Sequence, residues 1–167
     1  MSERDHLQYR PCVGAMLVNA AGKAFVGKRI DNREGDWWQM PQGGIDPGED
    51  PDQAVLRELA EEAGVRPEHL ELAGRLEQEL FYDLPDDLKG KLWGGKYKGQ
   101  RQRWYLVRFT GSDADIVLDA HHDPEFCEFR WVDPALLPEL IVPFKREVYQ
   151  AVVEGFRDKL PPSSNSG

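Results

Sequence analysis

Cysteine is scarce in this chain, with two residues, Cys12 and Cys127, among 167. They lie far apart and fit no metal-binding spacing, so we expect both to be small buried hydrophobic residues in a reducing compartment. No apolar run approaches the ~20 residues of a membrane-spanning helix, and the charged first residues lack the apolar segment of a secretory signal. These absences predict a cytoplasmic protein with no membrane partner.

Positive charge is also in short supply, because 21 Lys and Arg residues face 30 Asp and Glu residues and give a net charge of −9. A protein that binds nucleic acid through its phosphates usually has a basic surface. The charge balance therefore predicts no DNA partner and no large RNA interface, although it allows a small basic pocket. We expect the chain to act as a monomer.

The remaining composition predicts one domain with an arm and a tail. Hydrophobic residues make up 40% of the chain, which is enough to bury a core without disulfides or structural metals. We expect residues 1–8 to form a loose arm, residues 9–160 to fold as one domain, and the polar residues 161–167 to be disordered.

Short apolar segments predict a mixed β-sheet sandwiched between helices, an α/β or α+β fold. CVGAMLVN and AFVGKRI, separated by a short turn, predict a hairpin. WWQMPQGG resembles a strand that runs into a turn, the end of HLELAGRLEQELFYDL has strand character, and RQRWYLVRFTG and EFCEFRWV predict two more strands. In FKREVYQAVVEGFRDKL, Val148, Val152 and Phe156 recur at helical spacing and predict a helix.

Another helix is predicted over residues 51–63. Asp50 or Asp52 can serve as its N-cap, and Gly64 supplies its C-terminal stop. Its apolar stripe consists of Ala54, Val55, Leu59 and Ala63.

This helix also carries an acidic face. Glu58, Glu61 and Glu62 fall at positions i, i+3 and i+4, so all three project from one side, and like charges at this spacing are destabilising. One interpretation is a solvated face that Arg57 balances. The other is a carboxylate cluster that holds Mg²⁺, because hard divalent cations prefer oxygen ligands. Helical spacing alone favours the solvated face.

The residues around the acidic face form a longer pattern. Residues 43–65 contain Gly, five residues, Glu, seven residues, Arg-Glu-Leu, one residue, Glu-Glu, one residue and Gly-Val. This resembles the Nudix box, G-x5-E-x7-R-E-U-x-E-E-x-G-U, where U is a bulky aliphatic residue, and every specified position is filled. Such a match with fixed gaps rarely arises by chance. The chain therefore resembles the Nudix hydrolases, over about residues 9–157.

The resemblance implies a fold, a reaction and a cofactor. The fold is a mixed β-sheet between helices, and the reaction is hydrolysis of a nucleoside diphosphate linked to another group. The cofactor is Mg²⁺, Mn²⁺ or another divalent metal. Glu58, Glu61 and Glu62 match the metal-binding carboxylates of the box, and Glu58 is also a candidate for activating the attacking water.

Other positions match supporting roles. Arg57 and Glu49 match the pair that orients the metal ligands, and both therefore belong to the predicted catalytic set. Gly43 and Gly44 match the turn that brings backbone carbonyls toward a metal. Outside the box, Glu125 is our candidate for a further metal ligand or general base, whereas spacing alone favours an ordinary exposed glutamate.

Segments outside the box resemble one branch of the family. YRPCVGAML, WQMPQGGID, WGGKYKGQRQRWYLVRF, PEFCEFRWV and IVPFKREVY are similar to bacterial RNA 5′-pyrophosphohydrolases and plant-type diadenosine tetraphosphate hydrolases. The implied reaction is cleavage of dinucleoside polyphosphates such as diadenosine tetraphosphate to ATP and AMP, or release of pyrophosphate from 5′-triphosphorylated RNA, or both. The acidic charge favours the dinucleotide. A non-catalytic nucleotide-sensing domain is the alternative, and the complete box argues against it.

A basic run interrupted by glycines lies between Lys89 and Arg103 and predicts a loop that leads into a strand. Such a run in an acidic chain suits a polyphosphate, although a solvated loop without a ligand is an equal alternative. Lys28 and Arg29 are equally well explained as strand-edge charges. The predicted substrate contacts of positive charge are Arg10, Lys28, Arg29, Lys96, Lys98, Arg103 and Lys145.

Recognition of a base needs an aromatic side chain. Tyr82 and Phe144 match positions that this branch uses to stack a purine, and a core role for Phe144 is an equal alternative. Of the neighbouring Trp37 and Trp38, we expect one in the core.

Overall fold

The structure is a computed structural model that describes residues 8–30, 37–85, 97–120 and 124–160. The predicted tail, Lys96 and most of the predicted arm lie outside the described residues. In chain order the strands and helices are β1 (Gln8–Val18), β2 (Ala24–Arg29), β3 (Gln42–Gly44), α1 (Pro51–Glu62), β4 (Leu70–Arg75), β5 (Leu80–Asp83), β6 (Tyr97–Phe109), β7 (Phe126–Val132), α2 (Leu137–Leu140) and α3 (Arg146–Phe156).

The strands form one sheet in the order β4-β6-β1-β2-β7, with β3 also paired to β1 and β5 also paired to β6. β1 and β6 run parallel, whereas the other pairs are antiparallel. The predicted hairpin is confirmed, with Val18 opposite Ala24. The sheet is therefore mixed, as the sequence predicted.

A hydrophobic core lies on each face of the sheet. On β6, Trp104 and Leu106 join the core that includes residues of α3, while Tyr105 and Val107 join the core that includes residues of α1. This split follows from the two-residue alternation of side chains along a strand. The two longest helices thus cover opposite faces, which confirms the predicted sandwich. No helix in the described ranges is long and apolar enough to cross a membrane.

Helix α1 occupies Pro51–Glu62, one residue less than predicted. Asp50 is its N-cap, with a side chain that accepts a hydrogen bond from the Asp52 N–H at 2.8 Å. Gly64 follows the helix with φ +65°, and a Cβ there would lie 1.8 Å from the Val117 carbonyl oxygen, so glycine is required. The predicted apolar stripe is buried: Ala54, Val55, Leu59 and Ala63.

The prediction for the cysteines is half wrong. Cys12 is buried, but Cys127 is exposed. β7 is the last strand of the sheet order, and the neighbouring Phe126 faces the core. Cys127 lies at an irregularity of the ladder between the pairs Lys28–Glu128 and Arg29–Phe126 on this edge strand, and it remains exposed although its Sγ is 3.5 Å from the Lys28 carbonyl oxygen.

Several boundaries also differ from the prediction. HLELAGRLEQELFYDL contains a strand at its beginning, β4, as well as β5 at its end. In WWQMPQGG only Gln42–Gly44 is a strand, because Pro41 has no N–H for the ladder. Trp38 is the tryptophan in the core, with 1% of its surface exposed.

Candidate active site

A cavity of about 450 Å³ opens where β3, α1, β5 and the turn before α3 meet. Acidic side chains of α1 line it together with Glu125, which precedes β7. Basic and aromatic side chains from β1, β2, β5 and the turn line the rest. The cavity thus joins groups that suit a cation to groups that suit a nucleotide anion.

Two carboxylates of the acidic face are buried. Glu58 is 8% exposed and Glu62 is 1% exposed, so the solvated-face interpretation is wrong for this side of α1. The pKa of Glu58 is raised to about 7, mainly by burial, with Arg57 opposing the rise and the nearby Glu61 carboxylate contributing to it. Burial and the Glu125 carboxylate raise the pKa of Glu62 well above its usual range. The raised pKa values mean that the ionised carboxylates are disfavoured here, so a positive charge placed among them would be stabilising.

The carboxylate oxygens of this site are donor atoms of the type that a divalent cation prefers. Glu62 Oε1 accepts a hydrogen bond from the Gln42 N–H at 2.9 Å, whereas Glu62 Oε2 is buried and has no hydrogen-bond partner among the residues that the structure describes. An unpaired buried carboxylate oxygen costs free energy that a hard cation would offset. Among the described residues no three His, Cys, Asp or Glu side chains stand close enough to hold an ion as they are. The carboxylates are of the right chemical type and lie near one another, and Arg57 donates hydrogen bonds to two of them, Glu58 and Glu61.

Arg57 connects the acidic face to the loop that precedes α1. Its Nη1 donates to Glu58 Oε1 at 3.0 Å and to Glu61 Oε2 at 3.2 Å. Its Nε and Nη2 both donate to Glu49 at 2.9 Å, and Nη2 also donates to the Gly44 carbonyl at 2.8 Å. The Arg57 hydrogen bonds lower the pKa of Glu49. This guanidinium fixes the orientation of the carboxylates around it.

Gly43 lets β3 lie against α1. A Cβ at Gly43 would stand 2.1 Å from the Glu58 carboxyl carbon, so any side chain there would displace that carboxylate. The invariant spacing between this glycine and Glu58 in the pattern thus has a steric reason in this fold.

The structure brings Glu125 to the same cavity, although it is far from α1 in sequence. Its side chain is 47% exposed and lies 3.8 Å from Arg29 Nη1. Its charge raises the pKa values of Glu58 and Glu62. Glu125 is therefore an acidic group that both the cavity and solvent can reach.

The aromatic part of the cavity is a pair of rings tilted by 52° to each other, with a cation near both. The rings of Tyr82 and Phe144 lie 5.8 Å apart between centroids. Lys145 Nζ lies 5.4 Å from the Tyr82 centroid and 5.8 Å from the Phe144 centroid. Burial, with a smaller effect of Arg29, lowers the pKa of Lys145 to about 8. Tyr82 is 7% exposed and Phe144 packs partly against the core, so Phe144 presents the more open ring.

Three glutamines that the sequence prediction missed form a hydrogen-bonded chain beside the cavity. Gln102 Nε2 donates to Gln42 Oε1 and to Gln100 Oε1, both at 2.7 Å. Trp104 Nε1 donates to Gln102 Oε1 at 2.8 Å, which fixes the amide orientation. The alternation in QRQRW, with neutral polar residues toward the α3 side, was the signal that could have found them.

Most of the predicted residues gather at one place. Glu49, Arg57 and Glu62 stand next to the cavity through the contacts given above. The predicted residues that line it directly are Arg10, Arg29, Gly43, Gly44, Glu58, Glu61, Tyr82, Glu125, Phe144 and Lys145.

Three predicted contacts lie elsewhere. Lys28 Nζ is 6.0 Å from the Trp38 ring centroid, and Lys98 Nζ is 4.7 Å from that of Tyr9. Arg103 lines a second cavity. None of the three belongs to the lining of the first cavity, because the strands that carry them direct these side chains to other surfaces.

Comparison with known proteins finds relatives of high sequence identity. The chain is 61% identical over 152 residues to an RNA pyrophosphohydrolase of Novosphingobium aromaticivorans, covering 91% of this chain and 94% of the relative. It is 54% identical over 156 residues to an RNA pyrophosphohydrolase of Erythrobacter litoralis, covering 93% and 95%.

Solved structures share the fold at low identity. An E. coli dihydroneopterin triphosphate pyrophosphohydrolase superposes with a TM-score of 0.67 at 19% identity, covering 88% of this chain and 98% of that one. A C. elegans Ap4A hydrolase gives 0.64 at 21%, covering 89% and 98%. The family model described as NUDIX domain matches residues 8–152. The chain belongs to the Nudix hydrolase family.

Proposed function

We propose that this hydrolase removes pyrophosphate from the 5′ end of triphosphorylated RNA and leaves a 5′-monophosphate. The observation that carries the proposal is a single cavity that joins buried Glu58 and its neighbouring carboxylates to Phe144 and Lys145. A triphosphate next to a base would fill both halves. The choice of RNA is supported by the relatives at 54–61% identity, which are named RNA pyrophosphohydrolases.

A second candidate substrate is a dinucleoside polyphosphate such as diadenosine tetraphosphate, cut to ATP and AMP. It offers the same sequence of base, ribose and phosphate chain, and the net charge of −9 disfavours a long polyanion. Both reactions break a phosphoric anhydride bond with water, so one site can perform both.

We infer that Mg²⁺ or Mn²⁺ is the cofactor. The ligands we propose are Glu58, Glu61, Glu62 and Glu125 with the Gly43 backbone. The choice is supported by the buried Glu62 Oε2, which accepts no hydrogen bond within the described part of the chain. When bound, such an ion neutralises phosphate oxygens and lowers the pKa of a water molecule.

The protein's own groups would then position and deprotonate. Arg57 and Glu49 hold the carboxylates through the short hydrogen bonds described above. Glu58, or the more exposed Glu125, would accept the proton of the attacking water. Either assignment requires a carboxylate that is ionised when water binds, and a bound divalent cation would favour that ionised form.

The basic and aromatic groups would bind the nucleotide. Arg10, Arg29 and Lys145 line the cavity and would pair with phosphate oxygens. Phe144 would stack on the terminal base, with Tyr82 behind it. We also infer a monomer that acts in the cytoplasm on RNA rather than DNA, and light scattering after size-exclusion chromatography would test the monomer.

The test of the proposed function is turnover with Mg²⁺ of a short 5′-triphosphorylated RNA and of diadenosine tetraphosphate, compared by kcat/KM. We expect the RNA to be preferred and pyrophosphate to be released. Preference for the dinucleotide would make it the main substrate. Cleavage of neither, with nucleotide binding retained, would favour the sensing role and overturn the proposal.

The stacking role of Phe144 has its own test. Phe144→Ala should raise KM about fivefold or more through lost stacking, with a smaller stability loss than the ~3–5 kcal/mol of a fully buried phenylalanine. Phe144→Tyr is the matched control, because it keeps the ring. A large fall in thermal stability with KM unchanged would assign Phe144 to the core.

A further inference from the structure

A second surface of the sheet combines aromatic rings with cations. We name it the arginine face and define it by Tyr9, Phe81, Lys98, Arg101 and Arg103, which lie on β1, β5 and β6. The Tyr9 and Phe81 rings meet edge to face at 5.0 Å between centroids, and Lys98 Nζ lies 4.7 Å from the Tyr9 centroid. Phe81 pairs directly with Arg101 in the antiparallel ladder.

Phe81 is not required by the core. Its neighbour Tyr82 faces the core with 7% exposure, whereas Phe81 is 51% exposed. A single exposed ring is ordinary on a protein surface. Here, however, the ring lies among cations on a sheet, which is the arrangement on which single-stranded nucleic acids stack their bases.

The charge of the arginine face differs from that of the whole chain. Glu79 lies 3.2 Å from Arg101 Nε and 3.9 Å from Arg103 Nε, so one carboxylate faces two guanidinium groups. The pair therefore retains positive charge. Together with Lys98 it outweighs Glu79 and the other carboxylate beside the face, Asp83, which accepts a hydrogen bond from the Tyr9 hydroxyl at 2.6 Å, on a protein whose net charge is −9. A phosphate backbone complements this surface.

The arginine face adjoins the candidate active site. A second cavity of about 490 Å³ lies between Arg101 and Arg103 on one side and residues 45–49 on the other. Arg10 lines both this cavity and the first one. The acidic residues of the opposite wall, Asp46 and Glu49, lie 3.8 Å and 2.9 Å from Arg57, which offsets their repulsion of an anion.

We propose that the arginine face binds the single-stranded RNA that follows the 5′-terminal nucleotide. The chain would leave the first cavity past Arg10, pair its phosphates with Arg101 and Arg103, and stack a base on Phe81. This inference rests on the proposed function, because it requires an RNA substrate. It also explains how an acidic protein holds RNA: by a local basic surface continuous with the site.

The test measures binding of single-stranded RNA that carries a 5′-monophosphate, in lengths of two and ten nucleotides, by fluorescence anisotropy. Wild type should bind the longer RNA more tightly. Arg101→Gln should weaken binding of the longer RNA about fivefold at ~0.1 M salt. It should also make the slope of log affinity against log salt concentration less steep by about 0.7, the value for one phosphate contact. Phe81→Leu should weaken binding of the longer RNA by a similar factor through lost stacking. Phe81→Tyr keeps the ring and should bind this RNA as tightly as wild type.

Arg108→Gln is the matched control. Arg108 is an exposed arginine at the other end of β6, 3.5 Å from Glu71. This variant removes the same charge away from the face and should retain the affinity for both lengths. An equal loss with Arg108→Gln, or no loss with Arg101→Gln and Phe81→Leu, would overturn the inference. A loss as large for the two-nucleotide RNA or for diadenosine tetraphosphate would mean that the face binds a small substrate and would also overturn it.

Turnover separates this inference from the proposed function. The same two lengths of RNA are also tested as substrates with a 5′-triphosphate. If wild type releases no pyrophosphate from either length, the proposed function fails. Length-dependent binding that Arg101→Gln weakens would in that case still support the arginine face. If wild type cleaves both RNAs with the same kcat/KM and the variants match it, the proposed function stands and the arginine face is wrong.

Discussion

Helices α1 and α3 cover opposite faces of one sheet, yet they bury different residues. The buried residues of α3 are Val148, Tyr149, Val152 and Phe156. Those of α1 include Glu58 and Glu62 beside Ala54, Val55 and Leu59. Hydrophobic burial stabilises both helices, but only α1 bears the cost of buried carboxylates. A helix that serves the fold alone has no reason to bury them, so the difference supports our proposal that α1 carries the active-site carboxylates.

The largest expected effect is a loss of catalysis from a substitution in α1 that leaves the fold intact. Glu62→Gln should lower kcat about 10²- to 10⁴-fold, because it removes a charge that acts on the reacting groups. Thermal stability should be unchanged or higher, since an amide costs less to bury than an unpaired carboxylate. Glu147→Gln, at an exposed position of α3, is the control. Full activity of Glu62→Gln would remove Glu62 from the catalytic cluster.

The corresponding substitution in α3 should have the opposite result, a loss of stability with activity retained. Phe156→Ala opens a cavity at a residue that is 1% exposed, and it should lower the free energy of unfolding by ~3–5 kcal/mol. Activity per folded molecule should remain, because Phe156 does not line the candidate active site. Urea denaturation measures the first quantity, and active-site titration at low temperature measures the second. Loss of kcat in fully folded protein would contradict the division of roles.

A third change sharpens the comparison at the contact between β3 and α1. Gly43→Ala places a methyl group where the Glu58 carboxyl group lies, so kcat should fall about tenfold or more as that carboxylate is displaced. Gly48→Ala is the control: its φ of +80° strains an alanine, but a Cβ there meets nothing within 4 Å. Gly48→Ala should therefore lose about 1 kcal/mol of stability and no activity. Equal activities of the two variants would exclude the proposed contact.

The smallest expected effect concerns Lys145 and pH. Lys145 faces Arg29, Cys12 and Glu62, and its pKa is lowered to about 8. Its charge should therefore be lost as pH rises through 8, which would raise KM for a phosphate-bearing substrate severalfold. Because the folded pKa lies below the unfolded value, stability should rise between pH 8 and about 10.4. Lys145→Arg keeps the charge and should abolish the rise in KM. A wild-type KM that stays constant as pH rises through 8 would show that Lys145 does not bind the substrate.

Sequence patterns predicted the elements well where they depend on nearby residues. Asp50 caps α1, and the apolar stripe of α1 is buried, because capping and helical periodicity are local properties. The boundaries near Pro41 and the extra strand β4 were missed, since strand formation depends on partners that are distant in sequence. The exposure of Cys127 was missed for the same reason: only the sheet order makes β7 an edge.

The site was predicted to a similar extent. The acidic residues of α1 and the Arg57–Glu49 pair follow from one local pattern, and the structure places them side by side. Lys98 and Arg103 seemed to belong with them because the sequence shows a basic run, but strand alternation sends Arg103 to another cavity. Gln42, Gln100 and Gln102 carry no charge and match no motif, so only the alternation in QRQRW pointed to Gln100 and Gln102, and it does not say what they contact.

The sequence by itself determined the family, the helix that carries the carboxylates and the shared direction of Glu58, Glu61 and Glu62, because 3.6 residues per turn fixes that direction within one element. Only the tertiary structure decided that Glu62 is buried, with one oxygen that nothing in the described ranges pairs with, that Glu125 shares a cavity with residues of α1, and that Arg101 and Phe81 share a surface beside Arg10. These features depend on the packing of strands that are far apart along the chain, and burial, which sets the electrostatics of each group, exists only once that packing is complete.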